Sequence, residues 1–352
     1  MRLETEIKVT PILEAISNAT DHALDSSIVT EIPDFEPPSD FGIGLIVGPS
    51  GSGKSTILRE HFDVKPNPYW DNELSIADHF GTFDEAQARL GAVGLNSVPA
   101  WMRPYSTLSN GEQYRADLAR LIGNGAAVDE FTSVVDRNVA KSCSVALSKW
   151  AKRTGAEGIV LASCHYDIAE WLEPDWVFDC AVGDFTDRRL LRRPEIRIEL
   201  RPAKSEAWSF FSRHHYLTAD INRSARCWVA LWDGLLVGFA SAIAYPSGTV
   251  KNAWRGHRTV VLPEFQGMGI GARISDAVGE IFIGQGCRYF SKSANPNFGA
   301  YRNNSESWRP TSKNMKARKD YSVQRMGKFD SKEKMAHAAR VCFSHEYVGA
   351  AS

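Results

Sequence analysis

An α/β domain followed by an α+β domain is the architecture this chain predicts, and three observations predict it. The segment Gly48-Pro49-Ser50-Gly51-Ser52-Gly53-Lys54-Ser55 fits the pattern G-x-x-x-x-G-K-[ST]. It lies between an apolar run at 41–47, which reads as a buried strand, and residues 57–60, which can open a helix. A second strand, glycine loop and helix come much later, around Gln266-Gly267-Met268-Gly269-Ile270-Gly271. Finally, the net charge of −1 hides a division: residues 193–352 hold 24 Lys+Arg against 13 Asp+Glu, a balance of +11, and the remainder carries −12. Such asymmetry fits two halves with different partners, or two domains that attract one another.

In chain order, residues 1 to about 40 carry strand-like pieces and end in a loop at 33–40 with three prolines. The glycine-rich loop follows. Gly48, Ser50, Gly51, Ser52 and Gly53 let backbone N–H groups turn inward around phosphate oxygens, with Ser55 and Thr56 beside them, and the N-terminus of the following helix adds its positive dipole end. In this pattern Lys54 reaches the β/γ-phosphates and the Ser55 hydroxyl holds Mg²⁺, so the expected ligands are ATP and Mg²⁺.

Three more signals come after it in order. They are Leu108-Ser109-Asn110-Gly111-Glu112-Gln113 with Arg115 and Leu118-Ala119-Arg120, then Val128-Asp129-Glu130 with Thr132-Ser133-Val134-Val135-Asp136, then His165 closing the β-like run 160–165. Taken singly these read as a turn, an acidic helix cap and a core histidine. Taken together they resemble the signature, Walker B, D-loop and switch histidine of ABC-type ATPases. That resemblance implies Asp129 as a second Mg²⁺ ligand, Glu130 as the group that polarises water, and His165 at the terminal phosphate. It also implies Ser109 and Gly111 closing over the nucleotide of another subunit, and hence an ATP-dependent head-to-tail homodimer. The chain departs from the family between Lys54 and Ser109, only 55 residues apart. Gln87 is the single glutamine there and sits in a helix-like stretch, so no Q-loop is found; residues 70–73 fall about where one is expected. In transporters that loop couples ATP to the membrane domain.

At 352 residues, with 43% hydrophobic and 24% charged residues, the chain suits about two globular domains. No N-terminal run reads as a signal peptide. The most apolar stretch, 227–245, is broken by the turn pair Asp233-Gly234, so no membrane partner and a cytoplasmic location are expected. The six cysteines are scattered without C-x-x-C spacing, which points to reduced thiols and no zinc site.

A basic, Pro-punctuated connector at 187–194 divides the chain into expected domains 1–190 and 191–352. Beyond it come a strand with Ile196 and Leu200, a helical stretch at 205–215, a hairpin across Asp233-Gly234, and the strand Thr259-Val260-Val261-Leu262. After the loop, Ile270, Ile274, Ala277, Val278, Ile281 and Phe282 recur at helical spacing. Strand, Q-G-M-G-I-G and helix resemble the acyl-CoA loop of the GNAT acyltransferases, [QR]-x-x-G-x-[GA]. A dinucleotide fingerprint is the competitor, but Gly267-Met268-Gly269-Ile270-Gly271-Ala272 departs from it and the domain does not open with a βαβ unit. The resemblance implies that Val261, Gln266, Gly267, Gly269 and Gly271 hold acetyl-CoA or another acyl-CoA. It also implies a tyrosine acid after the next strand. Tyr301, following Asn295-Pro296-Asn297-Phe298-Gly299-Ala300, is the candidate, although the spacing is tighter than usual and a core aromatic is the other reading.

The whole chain resembles a group of ABC-type ATPases fused to an acetyltransferase domain. The second half also resembles, over a short stretch, phage Mom-type DNA-modifying acyltransferases, through His215-Tyr216 ahead of the hairpin. An imidazole at His214 or His215 titrates near neutrality and suits a base acting on an amine, with Glu264 as a second candidate. Arg309, Lys313, Lys316, Arg318 and Lys319 lie near Trp308 and Tyr321, as a solvated face or as a surface that tracks phosphates and stacks bases. The expected activity is ATP hydrolysis joined to N-acyl transfer, with a nucleic-acid amine as acceptor and DNA modification as outcome. The alternatives are an ATP-regulated acetyltransferase of a protein or small-molecule amine, and a non-catalytic mechanochemical protein.

Overall fold

The structure is a computed structural model that describes residues 2–20, 27–187, 194–215, 220–246, 250–318 and 340–349. It divides into two compact units, Met1–Leu95 with Ala100–Pro194, and Asn96–Pro99 with Glu195–Ser352. The boundary expected at 190/191 lies outside the described residues.

The chain opens with β1 (Arg2–Glu6), α1 (Pro11–Thr20) and β2 (Ser27–Glu31), the two strands pairing antiparallel. Only strands are expected there from the sequence. The helix starts on Pro11, whose fixed φ suits the first helical position; Ile12, Leu13 and Ile16 recur at helical spacing over its short length, yet none of its residues is buried. Next come β3 (Ile43–Val47) and α2 (Lys54–His61), then α3 (Phe83–Ala92), α4 (Val98–Trp101) and α5 (Asn110–Leu121). The first unit is completed by β4 (Ala127–Val128), α6 (Arg137–Thr154), β5 (Ile159–Ser163), α7 (Ala169–Leu172), β6 (Trp176–Asp179) and β7 (Asp184–Asp187).

The sheet order is β4-β5-β3-β6-β7, the first four parallel and β7 antiparallel on β6. Every residue of β3 and β5 is buried, as in a parallel sheet covered on both faces. Ile46, Ile57, Leu58, Val160, Ala162, Trp176 and Phe178 form one core cluster. Gly44 lies opposite Trp176 in register, and a methyl group there would fall inside the indole. Gly44→Ala is therefore expected to lower the unfolding free energy by about 1–3 kcal/mol through overpacking, read as an earlier thermal melt. An unchanged melting temperature would mean that the indole has room to move.

The second unit contains β8 (Ile198–Ala203), α8 (Trp208–Phe211), β9 (Arg226–Trp232), β10 (Leu235–Ala244), β11 (Ala253–Val261), α9 (Ile270–Gly284) and β12 (Arg288–Ser293). After these come α10 (Pro296–Asn303), β13 (Trp308–Pro310), β14 (Lys316–Arg318) and β15 (Arg340–Tyr347). The order is β13-β15-β12-β11-β10-β9-β8, with β14 pairing β15. The helix expected at 205–215 is broken into a short α-helix flanked by two 3₁₀ turns, which still bury Trp208 and Phe211. Asp233 (φ 50) and Gly234 (φ 79) make the two-residue turn between β9 and β10, both left-handed as that hairpin requires. Helix α9 connects β11 to β12, which pair parallel. Its buried face is Ile270, Ile274, Val278 and Phe282, and it lies close to β10 because Gly238 leaves room for Ile274.

Strand β11 is irregular on both of its edges. It pairs with β12 over only three residues, Ala253–Arg255 against Arg288–Phe290, and then the two strands part. On its other side β11 carries a bulge: Ser241 pairs with Arg258 and Ala242 with Gly256, leaving His257 as the extra residue.

Candidate functional sites

In the first unit the motif residues gather at the carboxyl ends of the parallel strands, where open α/β sheets bind ligands. Strand β3 runs into the glycine loop, β4 into Asp129-Glu130 and β5 into Cys164-His165. Gly51 (φ 80) and Gly53 (φ 92) are left-handed, and α2 begins without a side-chain cap, so its leading N–H groups face outward as an anion site. Lys54 folds its Nζ back onto the Pro49 carbonyl at 2.7 Å, a partner that phosphate oxygens could replace. Ser55 Oγ donates to Asp129 Oδ1 at 3.1 Å, bringing together a hydroxyl and a carboxylate suited to Mg²⁺, while Arg59 lies 3.4 Å from the other carboxylate oxygen.

Glu130 is exposed beside them in a left-handed conformation (φ 51), its N–H donating to Asp129 Oδ1 at 2.9 Å. His165 places Nδ1 3.3 Å from Thr132 Oγ1, and its backbone N–H donates to Ser163 Oγ at 3.1 Å. Partial burial, then the Arg137 charge, lower its pKa. Ser109 and Glu112 form a capping box at the start of α5, with Ser109 exposed and Gly111 in the first turn, while Arg115, Ala116, Leu118 and Ala119 are buried. Asp136 caps α6 by accepting from the N–H groups of Asn138 and Val139. The segment at 70–73 is tied down: Trp70 stacks on Tyr105 at 5.1 Å, and both donate to Asp117.

In the second unit, Gly267 and Gly269 are both left-handed (φ 87), and Gly269 precedes α9, which has no side-chain cap. Gln266 Nε2 donates to the Val261 carbonyl at 3.0 Å, tying the loop to the end of β11. A methyl group on Gly271 would come within 3.3 Å of Phe298 and Val261, so the residue at that first turn is kept small. The strand leading into this loop is the one that parts from β12, so the facing backbone edges of 256–261 and 291–293 do not pair with each other.

His215 packs edge-on against Trp208 at 5.4 Å. Burial, then the nearby Arg258 and His257, push its pKa down to about 4, so it does not titrate near neutrality as the sequence suggests. His257, at the bulge, is pushed down to about 4 by burial and then by Arg258 and Arg255. Its Nε2 accepts the Asn222 N–H at 3.2 Å, which puts the ring proton of the neutral form on Nδ1. Sequence reasoning missed His257, Arg258 and Arg255. The one signal in the sequence was Gly256 inside a strand, a common mark of a bulge.

Tyr301 donates its hydroxyl to Asp276 on α9, whose other oxygen accepts Trp308 Nε1 at 2.8 Å. Burial and Asp276 raise the phenol's pKa, so it stays protonated. Trp308 is buried, with the Arg302 guanidinium 4.5 Å from its ring, and is therefore not an open surface for stacking bases. Arg309, Lys313 and Lys316 are exposed. The Arg318 side chain, Lys319, Tyr321 and Tyr216 lie outside the described residues. His214 accepts from Arg213 Nε at 3.0 Å, and Glu264 lies in the turn between β11 and the loop. Among the described residues no helix is long and apolar enough to cross a membrane.

Residues 193–303 match the acetyltransferase (GNAT) family. No curated protein matches the chain. Among solved structures, it is similar to a dimeric ATP-binding cassette in a post-hydrolysis state bound to ADP and Pi, at 16% identity over 47% of this chain and 90% of that one, with a TM-score of 0.34. It is similar to an IAA acetyltransferase from Bacillus cereus at 14% identity, over 43% of this chain and 99% of that one, with a TM-score of 0.32. The ribosomal-protein-S18-alanine N-acetyltransferase from Escherichia coli is similar at 11% identity, over 44% and 96%, with a TM-score of 0.31.

Proposed function

We propose that this chain joins an ATP-binding and ATP-hydrolysing unit to an acyl-CoA-dependent N-acyltransferase whose acceptor is a nucleic-acid amine. The observation that carries the transferase reading is the parting of β11 from β12 on the strand that enters the glycine loop. An edge of unpaired backbone groups can take an extended, amide-bearing arm by strand addition. The N–H groups around Gly267, Gly269 and Gly271 then meet a pyrophosphate at the start of α9. Acetyl-CoA supplies the thioester. In the first unit, Lys54 and the glycine loop hold the phosphates, Ser55 and Asp129 hold Mg²⁺, Glu130 orients water, and His165 meets the terminal phosphate. Ser109 and Gly111 reach the nucleotide of a second copy in a head-to-tail dimer.

Acyl transfer requires the amine to attack the carbonyl, lose a proton and expel a thiolate. His215 is the acceptor-side base in this reading and His257 Nδ1–H a donor beside it. Tyr301 can protonate the thiolate only by giving up its bond to Asp276. The surroundings of the two imidazoles support the choice of acceptor. Arg255 and Arg258 disfavour an alkylammonium and favour a substrate that carries phosphate. A base amine is uncharged at neutral pH, so a weakly basic imidazole is enough to take the proton released on attack.

The test is transfer from labelled acetyl-CoA to a panel of DNA, RNA, protein and polyamine acceptors. Label on nucleic acid alone is expected, whereas label on protein or polyamine would assign the acceptor elsewhere. Absence of transfer to any of them, with acetyl-CoA bound, would leave a binding module. The pH dependence is a second expected result. With its pKa near 4, His215 is already the neutral base at pH 6, so its titration should cost no rate between pH 8 and 6. An imidazole at its ordinary 6.5 would lose most of its base form over that span. His215→Ala should lower kcat roughly a hundredfold with the acetyl-CoA Kd unchanged. A rate that halves near pH 6.5 and follows His215 would refute the depressed value.

A further inference from the structure

Between β4 and α6 the chain turns through two left-handed residues, Glu130 (φ 51) and Thr132 (φ 66). Glutamate and threonine adopt that conformation at a cost, threonine most because its Cβ is branched, so the surroundings must hold it. Three backbone hydrogen bonds do so. The Phe131 N–H donates to Ala162 O at 2.7 Å, the Ser133 N–H to Glu130 O at 3.0 Å, and the Thr132 N–H to Tyr114 Oη at 2.8 Å. The first comes from the end of β5 and the second is local. The third comes from α5, the helix that opens at Ser109 and Gly111.

Thr132 is fully buried, and its hydroxyl donates to the Phe131 carbonyl at 2.6 Å. His165 Nδ1 lies 3.3 Å from the same Thr132 Oγ1, so the hydroxyl orients the ring whichever of the two carries the hydrogen. The phenol oxygen on Tyr114 therefore bears on both neighbours of Thr132. It accepts the backbone N–H of the residue whose hydroxyl meets His165 and which lies two positions after Glu130. Burial holds the Tyr114 pKa well above its ordinary value, so its hydroxyl stays neutral wherever the protein is folded.

We propose that Tyr114 is a positioning residue for ATP hydrolysis: it clamps Thr132 in the left-handed conformation and so ties the geometry of Glu130 and His165 to the helix that begins at Ser109. The inference rests on the ATPase reading of the first unit. It makes α5 a single rigid part with nucleotide contact at its exposed start and control of the hydrolytic residues about a turn further on. Tyr114 itself does not touch the reacting atoms; its effect passes through Thr132.

Tyr114→Phe in the full chain removes one oxygen and keeps the ring. The expected result is a kcat for ATP hydrolysis lowered roughly tenfold, with KM and the Kd for Mg-ATP within about twofold of wild type. The acidic limb of the kcat–pH profile should also move, because Thr132, the partner of His165, is no longer clamped in place. A kcat and pH profile equal to wild type would overturn the proposal. So would a loss of kcat matched by an equal loss of nucleotide affinity and of melting temperature, since that pattern belongs to general loosening. If the wild-type chain binds ATP but does not hydrolyse it, the ATPase reading fails and the inference falls with it. A wild type that hydrolyses ATP beside an indifferent Tyr114→Phe sinks the inference alone.

Discussion

Gly269→Asp is expected to abolish acetyl-CoA binding and to leave ATP binding at Lys54 unchanged. Gly269 sits at φ 87 immediately before α9, a conformation that costs a residue with a side chain about 1–3 kcal/mol. The new carboxylate would also stand at the uncapped start of α9, where the proposed reading places the pyrophosphate. Like charges in a partly dry site repel by several kcal/mol, about 4 at 4 Å for an effective dielectric of 20. The repulsion alone approaches a thousandfold in affinity, on the rule of about 1.4 kcal/mol per tenfold, while the strain is carried by the free protein too and lowers its stability. Gly269→Ala separates them, because it carries the strain without the charge: it should melt earlier and lose far less acetyl-CoA affinity than Gly269→Asp. Calorimetry with acetyl-CoA and, separately, with Mg-ATP reads both sites in one protein. Normal acetyl-CoA affinity in Gly269→Asp would mean that this loop is not a pyrophosphate cradle.

Features set by a few adjacent residues were legible in the sequence. The loop at Gly48–Ser55, the hairpin at Asp233-Gly234 and the glycine loop before α9 each depend on local turn chemistry, and each sits where its residues require. Three of the motifs, the glycine loop, Asp129-Glu130 and His165, follow strands of the same parallel sheet, whereas Ser109 and Gly111 open a helix. What depends on neighbours distant in the chain was not legible. His257 is a bulge only because Ser241 and Ala242 pair on either side of it. His215 looked like an imidazole poised at neutrality, yet its ionisation is suppressed by burial and by Arg258, far along the chain.

Distant neighbours also decide what the aromatic residues do. Trp308 sits among basic residues in the sequence and suggests a stacking surface, but its indole lies under Arg302 and donates to Asp276. Tyr301 stands where an acid was sought, and its hydroxyl is engaged by the same carboxylate. A side chain's type and spacing tell which chemistry it could do; the hydrogen bond that occupies it is decided by the tertiary fold. The Thr132–Tyr114 contact is the same case in the first unit, joining the helix that opens at Ser109 to the turn after Asp129-Glu130 in a way that neither segment shows alone.

Glu130→Gln is expected to bind Mg-ATP with wild-type affinity, to lower ATP hydrolysis roughly a hundredfold to ten-thousandfold, and to accumulate as an ATP-bound dimer. The substitution is nearly isosteric and leaves Ser55, Asp129 and the glycine loop untouched. Only the carboxylate that would orient and deprotonate water is lost. Because Ser109 is exposed at the start of α5, a second copy can reach it, and blocked hydrolysis should hold the pair together. Lys54→Ala should act one step earlier, because a cation at the β/γ-phosphates contributes to binding itself; its nucleotide affinity should fall by roughly tenfold or more, and no dimer should form. Sedimentation with ATP and Mg²⁺, alongside phosphate release, distinguishes the two variants. A monomeric Glu130→Gln that still binds ATP would overturn the composite site while leaving the P-loop reading in place. A Glu130→Gln that hydrolyses ATP at the wild-type rate would move the water-orienting role to another residue.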